Sequence, residues 1–211
     1  MTPLIRSSSN PSRSVPMTFD ANAKHVQCFS VPHASEWTFV RDVLQTTHSR
    51  GIAAALPLWY QLTASIEDTA DSLCPLYLVT PQNIPSLLLA IRDVHIDTIV
   101  TIPSVAKELR PLLKKFKLSV RNIIVVSDVT EPVPKDATHV SLQMFPGGEI
   151  FHSCAHVNDL TCFHKAPFAT IAESGSNLLC TSLFSHSIES KPLPFCEDGV
   201  CACGKPSFVR I

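Results

Sequence analysis

The chain carries almost no net charge and few charged residues of either sign. Its 211 residues include 17 lysines and arginines against 18 aspartates and glutamates, which gives a formal net charge of -1. Charged residues make up only 17% of the sequence. A surface without an excess of one sign gives no electrostatic basis for binding nucleic acid or an anionic membrane. We therefore expect neither of these partners.

Long apolar runs are also missing. No stretch approaches the ~20 consecutive apolar residues that a membrane-spanning helix needs. The N-terminal segment 1–16 contains arginines but no apolar centre, so it does not resemble a secretory signal. Eight cysteines in a chain without an export signal predict reduced thiols or metal ligands rather than disulfides. We expect a cytoplasmic protein.

What the sequence does contain is an alternation of strand-like and helical segments. Near-continuous Ile/Val runs, such as those at 97–102 and 122–127, are typical of parallel strands buried on both faces. The pattern predicts an α/β fold with a doubly wound, mostly parallel sheet and a small C-terminal β and metal-bound subregion. The predicted strands are 25–31, 52–58, 76–80, 97–102, 122–127 and 138–145, and the predicted helices are 34–48, 61–73, 85–94 and 104–116.

The predicted domain organisation follows from a change of character after residue 150. Residues 1–150 form the expected α/β core, although residues 1–17 are predicted to be loop. Residues 151–211 form the expected small β and Cys/His region, which begins with a short hairpin at 169–173 and 178–184. Its tail is rich in proline and cysteine.

One segment concentrates chemically capable side chains at the expected carboxyl edge of the sheet. The predicted strand 138–145 ends at a Pro-Gly-Gly turn, and Glu149 follows directly. Ligands of open α/β sheets bind beyond the carboxyl ends of the strands. Candidate metal ligands come next in the chain, at His152, Cys154, His156, Cys162 and His164. Spacing alone leaves zinc ligands and free or buried thiols as equal alternatives.

Four groups of residues follow one another in an order that resembles a known family. They lie at 91–93 with 97–104, at 144–149, at 178–194, and at 201–204 with 210–211. Together they resemble the central part of adenylate-forming (AMP-binding) enzymes, most closely the phenylacetate–coenzyme A ligase branch. The similarity runs from about Ser7 to the last residue.

The resemblance implies a two-step reaction. A carboxylate attacks ATP to give an acyl-adenylate and pyrophosphate, and the thiol of coenzyme A then displaces AMP. A small carboxylic acid and coenzyme A are the implied substrates, with ATP and magnesium as cofactors. The catalytic residue would be Glu149, which helps to hold magnesium in the family; the alternative is a solvated residue after a turn.

The remaining sites implied by the resemblance are a nucleotide site and a substrate pocket. Pro103 and Ser104 would line the substrate pocket, and the alternative for Ser104 is a helix cap. The residues assigned to nucleotide binding are Phe145, Gly147, Gly148, Ser8, Ser9 and Arg13.

The resemblance also implies a structural zinc. The family's ligands correspond to Cys154, His164, Cys201 and Cys203, and a Cys₃His set is a normal closed zinc site. His156 and Cys162 remain rival ligands.

Several departures from the family pattern bear on activity. The segment 7–14 lacks the glycines of the family's phosphate loop and contains Pro11. The ribose-binding aspartate segment and the C-terminal lid domain have no counterpart. We therefore expect either a truncated ligase-like protein with residual carboxylate or ATP binding, or a catalytically inactive zinc-stabilised scaffold that binds a partner. A third hypothesis is a fragment whose missing segments come from a protein partner.

Overall fold

The computed structural model describes part of the chain. The described residues are 4–7, 14–16, 30–31, 38–56, 75–144, 148–157, 160–167, 169, 171–174, 177–182 and 189–211. The predicted helix at 61–73 lies outside them. The described helices are α1 (Thr38–Thr47), α2 (Ile84–Asp93) and α3 (Pro103–Phe116). The described strands are β1 (Leu4–Ser7), β2 (Ser14–Pro16), β3 (Ser30–Val31), β4 (Ile52–Ala55), β5 (Leu76–Val79), β6 (Thr98–Thr101), β7 (Asn122–Asp128), β8 (His139–Met144), β9 (Gly148–Ser153), β10 (Phe163–Lys165), β11 (Ile171–Ser174), β12 (Asn177–Ser182), β13 (Glu189–Leu193), β14 (Phe195–Val200) and β15 (Pro206–Arg210).

A nine-stranded mixed sheet dominates the described residues. Its order is β14-β15-β10-β9-β8-β7-β6-β4-β5. Neighbours from β5 to β8 are parallel, whereas every pairing from β8 to β14 is antiparallel. A separate antiparallel sheet contains β11, β12 and β13. The predicted α/β class with a C-terminal β region is confirmed.

Helices cover both faces of the parallel half because its strands are apolar on both faces. Along β7, Ile123 and Val125 belong to the apolar layer that includes α2 and α3. Ile124 and Val126 belong to the layer that includes α1. Successive strand residues point to opposite faces, so a continuous apolar run can bury both sides. This is the doubly wound arrangement that the Ile/Val runs predict.

The helices present apolar faces at helical spacing. In α1, the buried residues are Phe39, Val40, Val43 and Leu44. Before α2, the side chain of Asn83 accepts a hydrogen bond from the backbone N–H of Ser86, which satisfies a free donor of the first turn.

The structure corrects two expectations from the sequence. The predicted loop at 1–17 contains β1 and β2, which pair antiparallel with Ile5 opposite Val15. Glu149, which the sequence places beyond the carboxyl end of a strand, lies within strand β9, and β9 pairs antiparallel with β8. The predicted boundary after residue 150 falls inside β9, and the division into two regions remains a prediction. No helix in the described parts is long and apolar enough to cross a membrane.

A buried amide links three elements at the amino edge of the parallel strands. Asn122, at the start of β7, is 3% exposed. Its Nδ2 donates to Thr98 Oγ1 at 3.0 Å and to Thr47 Oγ1 at 2.9 Å. The amide thereby connects β7 to β6 and to the end of α1.

We predict that Asn122→Ala lowers the free energy of unfolding by about 1–3 kcal/mol, because it removes a buried amide that donates to the hydroxyls of Thr47, Ser49 and Thr98. Urea denaturation measures the change. Gln45→Ala, at an exposed position of α1, is the control and should stay within about 0.5 kcal/mol of the wild type. Equal stabilities for the two variants would contradict a structural role for this amide.

Candidate metal centre and buried carboxyl

Four candidate ligand atoms converge at the antiparallel end of the large sheet. The thiols of Cys154, Cys201 and Cys203 and the imidazole of His164 place their ligand atoms within 4.8 Å of one another. The distance from Cys203 Sγ to His164 Nε2 is 3.3 Å. We call these four residues the Cys/His group. They are the four residues that the family resemblance assigns to zinc.

The strand order explains how distant parts of the sequence meet. Cys154 directly follows β9, and His164 is the central residue of β10. Cys201 and Cys203 lie between β14 and β15, and β10 pairs with both β9 and β15. The loop after β9, the middle of β10 and the end of the β14–β15 hairpin therefore come together.

A tight turn presents the two cysteines of the hairpin. The backbone N–H of Cys201 donates to the carbonyl of Lys205 at 2.9 Å, and that of Gly204 donates to the carbonyl of Cys201 at 2.8 Å. Gly204 has φ +84°, a conformation that favours glycine. The glycine after Cys203 thus allows the chain to reverse immediately beyond the second thiol.

The imidazole of His164 is oriented for metal binding. Its Nδ1 lies 2.7 Å from the carbonyl oxygen of Pro206 and can donate to it. That donation leaves Nε2 unprotonated and facing Cys203. A ligand histidine commonly donates its second ring N–H to a backbone carbonyl, which fixes the tautomer.

The donor set fits zinc. Three thiolates and one imidazole around a single point form a closed tetrahedral site, and such ligands suit zinc. Burial raises the pKa of the Cys154 thiol to about 11. A hydrogen bond from the backbone N–H of Cys203 lowers the pKa of Cys201. Because thiols bind zinc as thiolates, metal binding has to release the proton of Cys154.

The two rival ligands stand outside the Cys/His group. His156 is exposed, and it contacts the group through its backbone N–H, which hydrogen-bonds the thiol of Cys154. Cys162 is half-buried, and its thiol forms a hydrogen bond with that of Cys201. Burial raises the pKa of Cys162 to about 12.

The carboxyl of Glu149 is buried within the sheet. Glu149 lies in β9 opposite Gln143 and is 6% exposed, so the alternative of a solvated residue after a turn is wrong. Ser141 Oγ donates to Glu149 Oε1 at 2.6 Å, while Oε2 is buried without a hydrogen-bond partner in the described structure. Burial raises the pKa of Glu149 to about 8, and the charge of Asp42 adds to this effect. The carboxyl is therefore largely protonated at neutral pH.

A row of polar side chains connects Glu149 to the Cys/His group. In the strand register, Ser141 of β8 lies opposite His152 of β9, and His152 lies opposite His164 of β10. The ring of Phe39, from α1, stacks on His152 at 4.6 Å between centroids. Burial lowers the pKa of His152 to about 4, so this imidazole is neutral at physiological pH.

Sequence reasoning assigned no role to Ser141, Phe39 or the Pro206 carbonyl in these sites. The polar alternation along β8 was a visible signal for Ser141. No local sequence pattern indicates that Phe39 of α1 stacks on His152. Nor does one indicate that His164 contacts the carbonyl of Pro206, forty-two residues away.

The predicted substrate-pocket residues lie at a reversal of strand order. After β4 the chain adds β5 on one side and then returns to place β6 on the other side of β4. Thr101 Oγ1, at the end of β6, donates to the carbonyl of Ala55, at the end of β4, at 2.9 Å. Pro103 and Ser104 begin α3 just beyond this contact. Crevices at such reversals are the usual ligand sites of open α/β sheets.

Only some of the other predicted site residues belong to the part of the chain that the structure describes. Ile102 is the N-cap of α3, so the alternative of Ser104 as a helix cap is wrong. Gly148 begins β9 opposite Met144. Glu149 lies on β9, whereas the Pro103–Ser104 pair begins the helix after β6. Strands β7 and β8 lie between β6 and β9, so the sheet does not place these residues side by side. Outside the described residues lie Ser8, Ser9, Arg13, Phe145 and Gly147.

No protein-family model and no curated protein matches this chain. Solved structures do match it in fold. An AMP-forming acyl-CoA synthetase/AMP-acid ligase II-like protein from Dyadobacter fermentans aligns with 100% of the chain and 59% of its own length, at 11% identity and a TM-score of 0.53. Coronafacic acid ligase from Pectobacterium brasiliense aligns with 93% of the chain and 49% of its own length, at 12% identity and a TM-score of 0.53.

A third similar structure is the amide bond synthetase McbA from Marinactinospora thermotolerans. It aligns with 93% of the chain and 47% of its own length, at 10% identity and a TM-score of 0.51. The chain thus spans about half the length of these proteins. At these identities the likeness concerns the fold alone, which is similar to about half of the fold of these three proteins.

Proposed function

We propose that this chain is an AMP-forming acyl- or aryl-coenzyme A ligase-like protein of the phenylacetate–coenzyme A ligase type. It carries a structural zinc and retains at most part of the carboxylate and ATP binding. The convergence of the Cys/His group carries the proposal. The chain has eight cysteines and nine histidines, and the four that the family motifs select are the four whose ligand atoms converge among the described residues.

The zinc stabilises the fold and takes no part in the reaction. Four protein ligands complete its coordination, which leaves no position for water or substrate. Cys154 and His164 are buried, whereas Cys201 and Cys203 are half-buried. The metal therefore joins the exposed end of the β14–β15 hairpin to the interior of the sheet.

The small carboxylic acid binds at the strand-order reversal between β4 and β6. Pro103 is half-buried and Ser104 is exposed at this edge, so a ligand can reach both. ATP with magnesium would bind nearby, and the acid would attack it to give an acyl-adenylate and pyrophosphate. Coenzyme A would then displace AMP.

The state of Glu149 favours a second candidate function. A protonated, buried carboxyl offers magnesium no negative charge until it ionises and becomes exposed. The second candidate is a catalytically inactive, zinc-stabilised scaffold that binds a protein partner on the same fold. In a variant of this candidate function, the protein partner supplies the segments of the ligase that this chain lacks.

Metal analysis tests the zinc site. We predict about one zinc per chain in the purified protein. Cys154→Ser and His164→Ala should each lose most of the zinc and melt at a lower temperature, because each removes one of four ligands. Cys196→Ser, a half-buried cysteine outside the Cys/His group, should keep both the zinc and the melting temperature. Zinc retained in the two ligand variants would exclude this site.

Ligand titration separates the two candidate functions. If carboxylate and ATP binding persist, calorimetry with magnesium–ATP and aryl or fatty acids will show heat, and pyrophosphate exchange will show adenylate formation. Ser104→Trp should then weaken acid binding, because the bulky ring would fill the edge at the start of α3. A protein with its full zinc content but no heat and no exchange is the outcome that favours the scaffold.

The pH dependence of stability tests the buried state of Glu149. Its pKa is 4.5 ordinarily and about 8 when folded. Between these values the unfolded chain is ionised and the folded chain is protonated, so stability falls as pH rises, by up to about 1.4 kcal/mol per pH unit. Glu149→Gln should remove this pH-dependent loss. Between pH 5 and pH 8 the free energy of unfolding of the variant should therefore rise relative to that of the wild type.

Urea denaturation in zinc-saturated buffer at several pH values measures this effect. The matched control is Glu108→Gln, at an exposed position of α3, which should leave the wild-type pH dependence unchanged. If the free energy of unfolding changes equally with pH in the wild type and in Glu149→Gln, the carboxyl of Glu149 is not buried in its protonated form.

A further inference from the structure

A cavity lies at the amino edge of the parallel strands, where the chain enters β4, β6 and β7. Its volume is about 380 Å³, which is enough for a small ligand. The residues that line it belong to the segments directly before these three strands. We call it the amino-edge cavity, and its ionisable lining residues are Arg50, Arg92, His95, Asp97, Lys117 and Arg121.

Positive charge dominates this cavity. Its lining contains three arginines and one lysine against a single carboxylate, that of Asp97. Arg92 is paired with Asp93, whose Oδ1 lies 2.6 Å from Nε of the guanidinium. The other three cations still outnumber the carboxylate, although the whole chain has a net charge of -1. The cavity therefore holds a local excess of positive charge, which attracts anions.

Two of these cations are available to a ligand. The carboxylate of Asp97 accepts the backbone N–H of Arg50, at 3.1 and 3.2 Å, so this contact does not use the guanidinium. Within the described parts of the chain, neither the guanidinium of Arg50 nor the ammonium of Lys117 forms a hydrogen bond or an ion pair. Nη1 of Arg121 donates to the carbonyl of Thr47 at 2.6 Å, which fixes a third cation beside the cavity.

The dipoles of the neighbouring helices do not account for all of these cations. Basic side chains near the end of a helix are stabilised by its dipole, and Lys114 and Lys115 occupy the last turn of α3 in this way. Arg50 and Arg121 lie outside the helices, in the segments that lead into β4 and β7. Their charges therefore call for another explanation.

The backbone at Lys117 supplies independent support for a ligand. This residue is the C-cap of α3 and has φ +54°, a left-handed conformation that favours glycine. A lysine is strained there, and its ammonium makes no contact in the described structure that would offset the strain. A bound anion would supply such a contact.

We propose that the amino-edge cavity binds a diphosphate group, carried either by inorganic pyrophosphate or by a nucleoside diphosphate. Guanidinium groups bind phosphate oxygens through paired N–H donors, and lysine adds a point charge. Arg50, Lys117 and Arg121 offer these groups from two different connecting segments. Ile91 and Ile96, also in the lining, are buried, and an apolar wall strengthens the attraction between the cations and an anion.

This site is separate from the functions proposed above. Pro103 and Ser104 lie beyond the carboxyl end of β6, at the opposite edge of the sheet. The cavity also includes no member of the Cys/His group. The inference therefore depends neither on the zinc nor on adenylate formation.

Isothermal titration calorimetry on the purified chain, in buffer without magnesium, tests this site. We expect pyrophosphate to bind, and AMP, with a single phosphate group, to bind at least about fivefold more weakly. Raising the ionic strength from about 0.01 M to about 0.15 M should weaken binding, because salt screens exposed charges. Titration with ADP distinguishes the two sources: affinity equal to that of pyrophosphate indicates a nucleotide, and much weaker binding indicates the inorganic ion.

Two variants assign the binding to the cavity. Arg50→Gln and Lys117→Gln should each weaken pyrophosphate binding about tenfold, because each removes one charged donor. Both side chains are exposed, so the melting temperature should stay that of the wild type. The matched control is Lys107→Gln, at an exposed position of α3 outside the cavity, which should bind pyrophosphate as the wild type does.

Three outcomes would overturn the inference. They are the absence of heat with pyrophosphate, equal affinities for pyrophosphate and AMP, and wild-type affinity in either Arg50→Gln or Lys117→Gln. The last result would place the anion elsewhere, such as at the proposed ATP site. Zinc content and adenylate formation are measured on the same samples, so a failure of the proposed function is recorded independently.

Discussion

The antiparallel pairing of β9 with β8 determines how the C-terminal strands join the large sheet. β8 pairs in parallel with β7 on one side and antiparallel with β9 on the other. The sheet therefore continues beyond its last parallel strand, through β10 to the β14–β15 hairpin. Without that continuation, Cys154, His164 and the two hairpin cysteines would belong to unconnected segments. The convergence of the Cys/His group is thus a consequence of sheet topology rather than of local sequence spacing.

The same antiparallel pairing sets the electrostatic state of Glu149. In a loop beyond the sheet, this carboxyl would be hydrated and ionised. As a residue of β9 it has a single hydrogen bond in the described structure, from Ser141, and an oxygen with no partner. One hydroxyl does not replace the hydration of a carboxylate, so burial favours the protonated form. The strand that leads to the candidate ligand Cys154 therefore also keeps the carboxyl of Glu149 protonated.

The sequence predicted the parallel half far better than the antiparallel half. Ile/Val runs buried on both faces and amphipathic helices such as α3 have distinctive periods. The hairpin strands β14 and β15 contain little apolar repetition: in β14 only Phe195 is buried, and in β15 only Ser207. Strands of this kind are specified by their neighbours in the sheet, which a local pattern does not reveal. The ligand set likewise came from the family resemblance, since spacing could not distinguish His164 from the exposed His156.

The unequal distribution of apolar contacts gives the proposed zinc a structural role at one end of this sheet. The parallel half is stabilised by apolar layers on both of its faces. The outer hairpin instead contributes Phe195 of β14 and the partly buried Phe208 of β15, and its turn is exposed, with Val200 beside the turn 70% exposed. These two aromatic side chains lie outside the turn and do not fix it, whereas four metal–ligand bonds can. The zinc would therefore stabilise the turn between β14 and β15, which hydrophobic packing constrains least. Loss of the zinc would destabilise this turn more than the parallel half of the sheet.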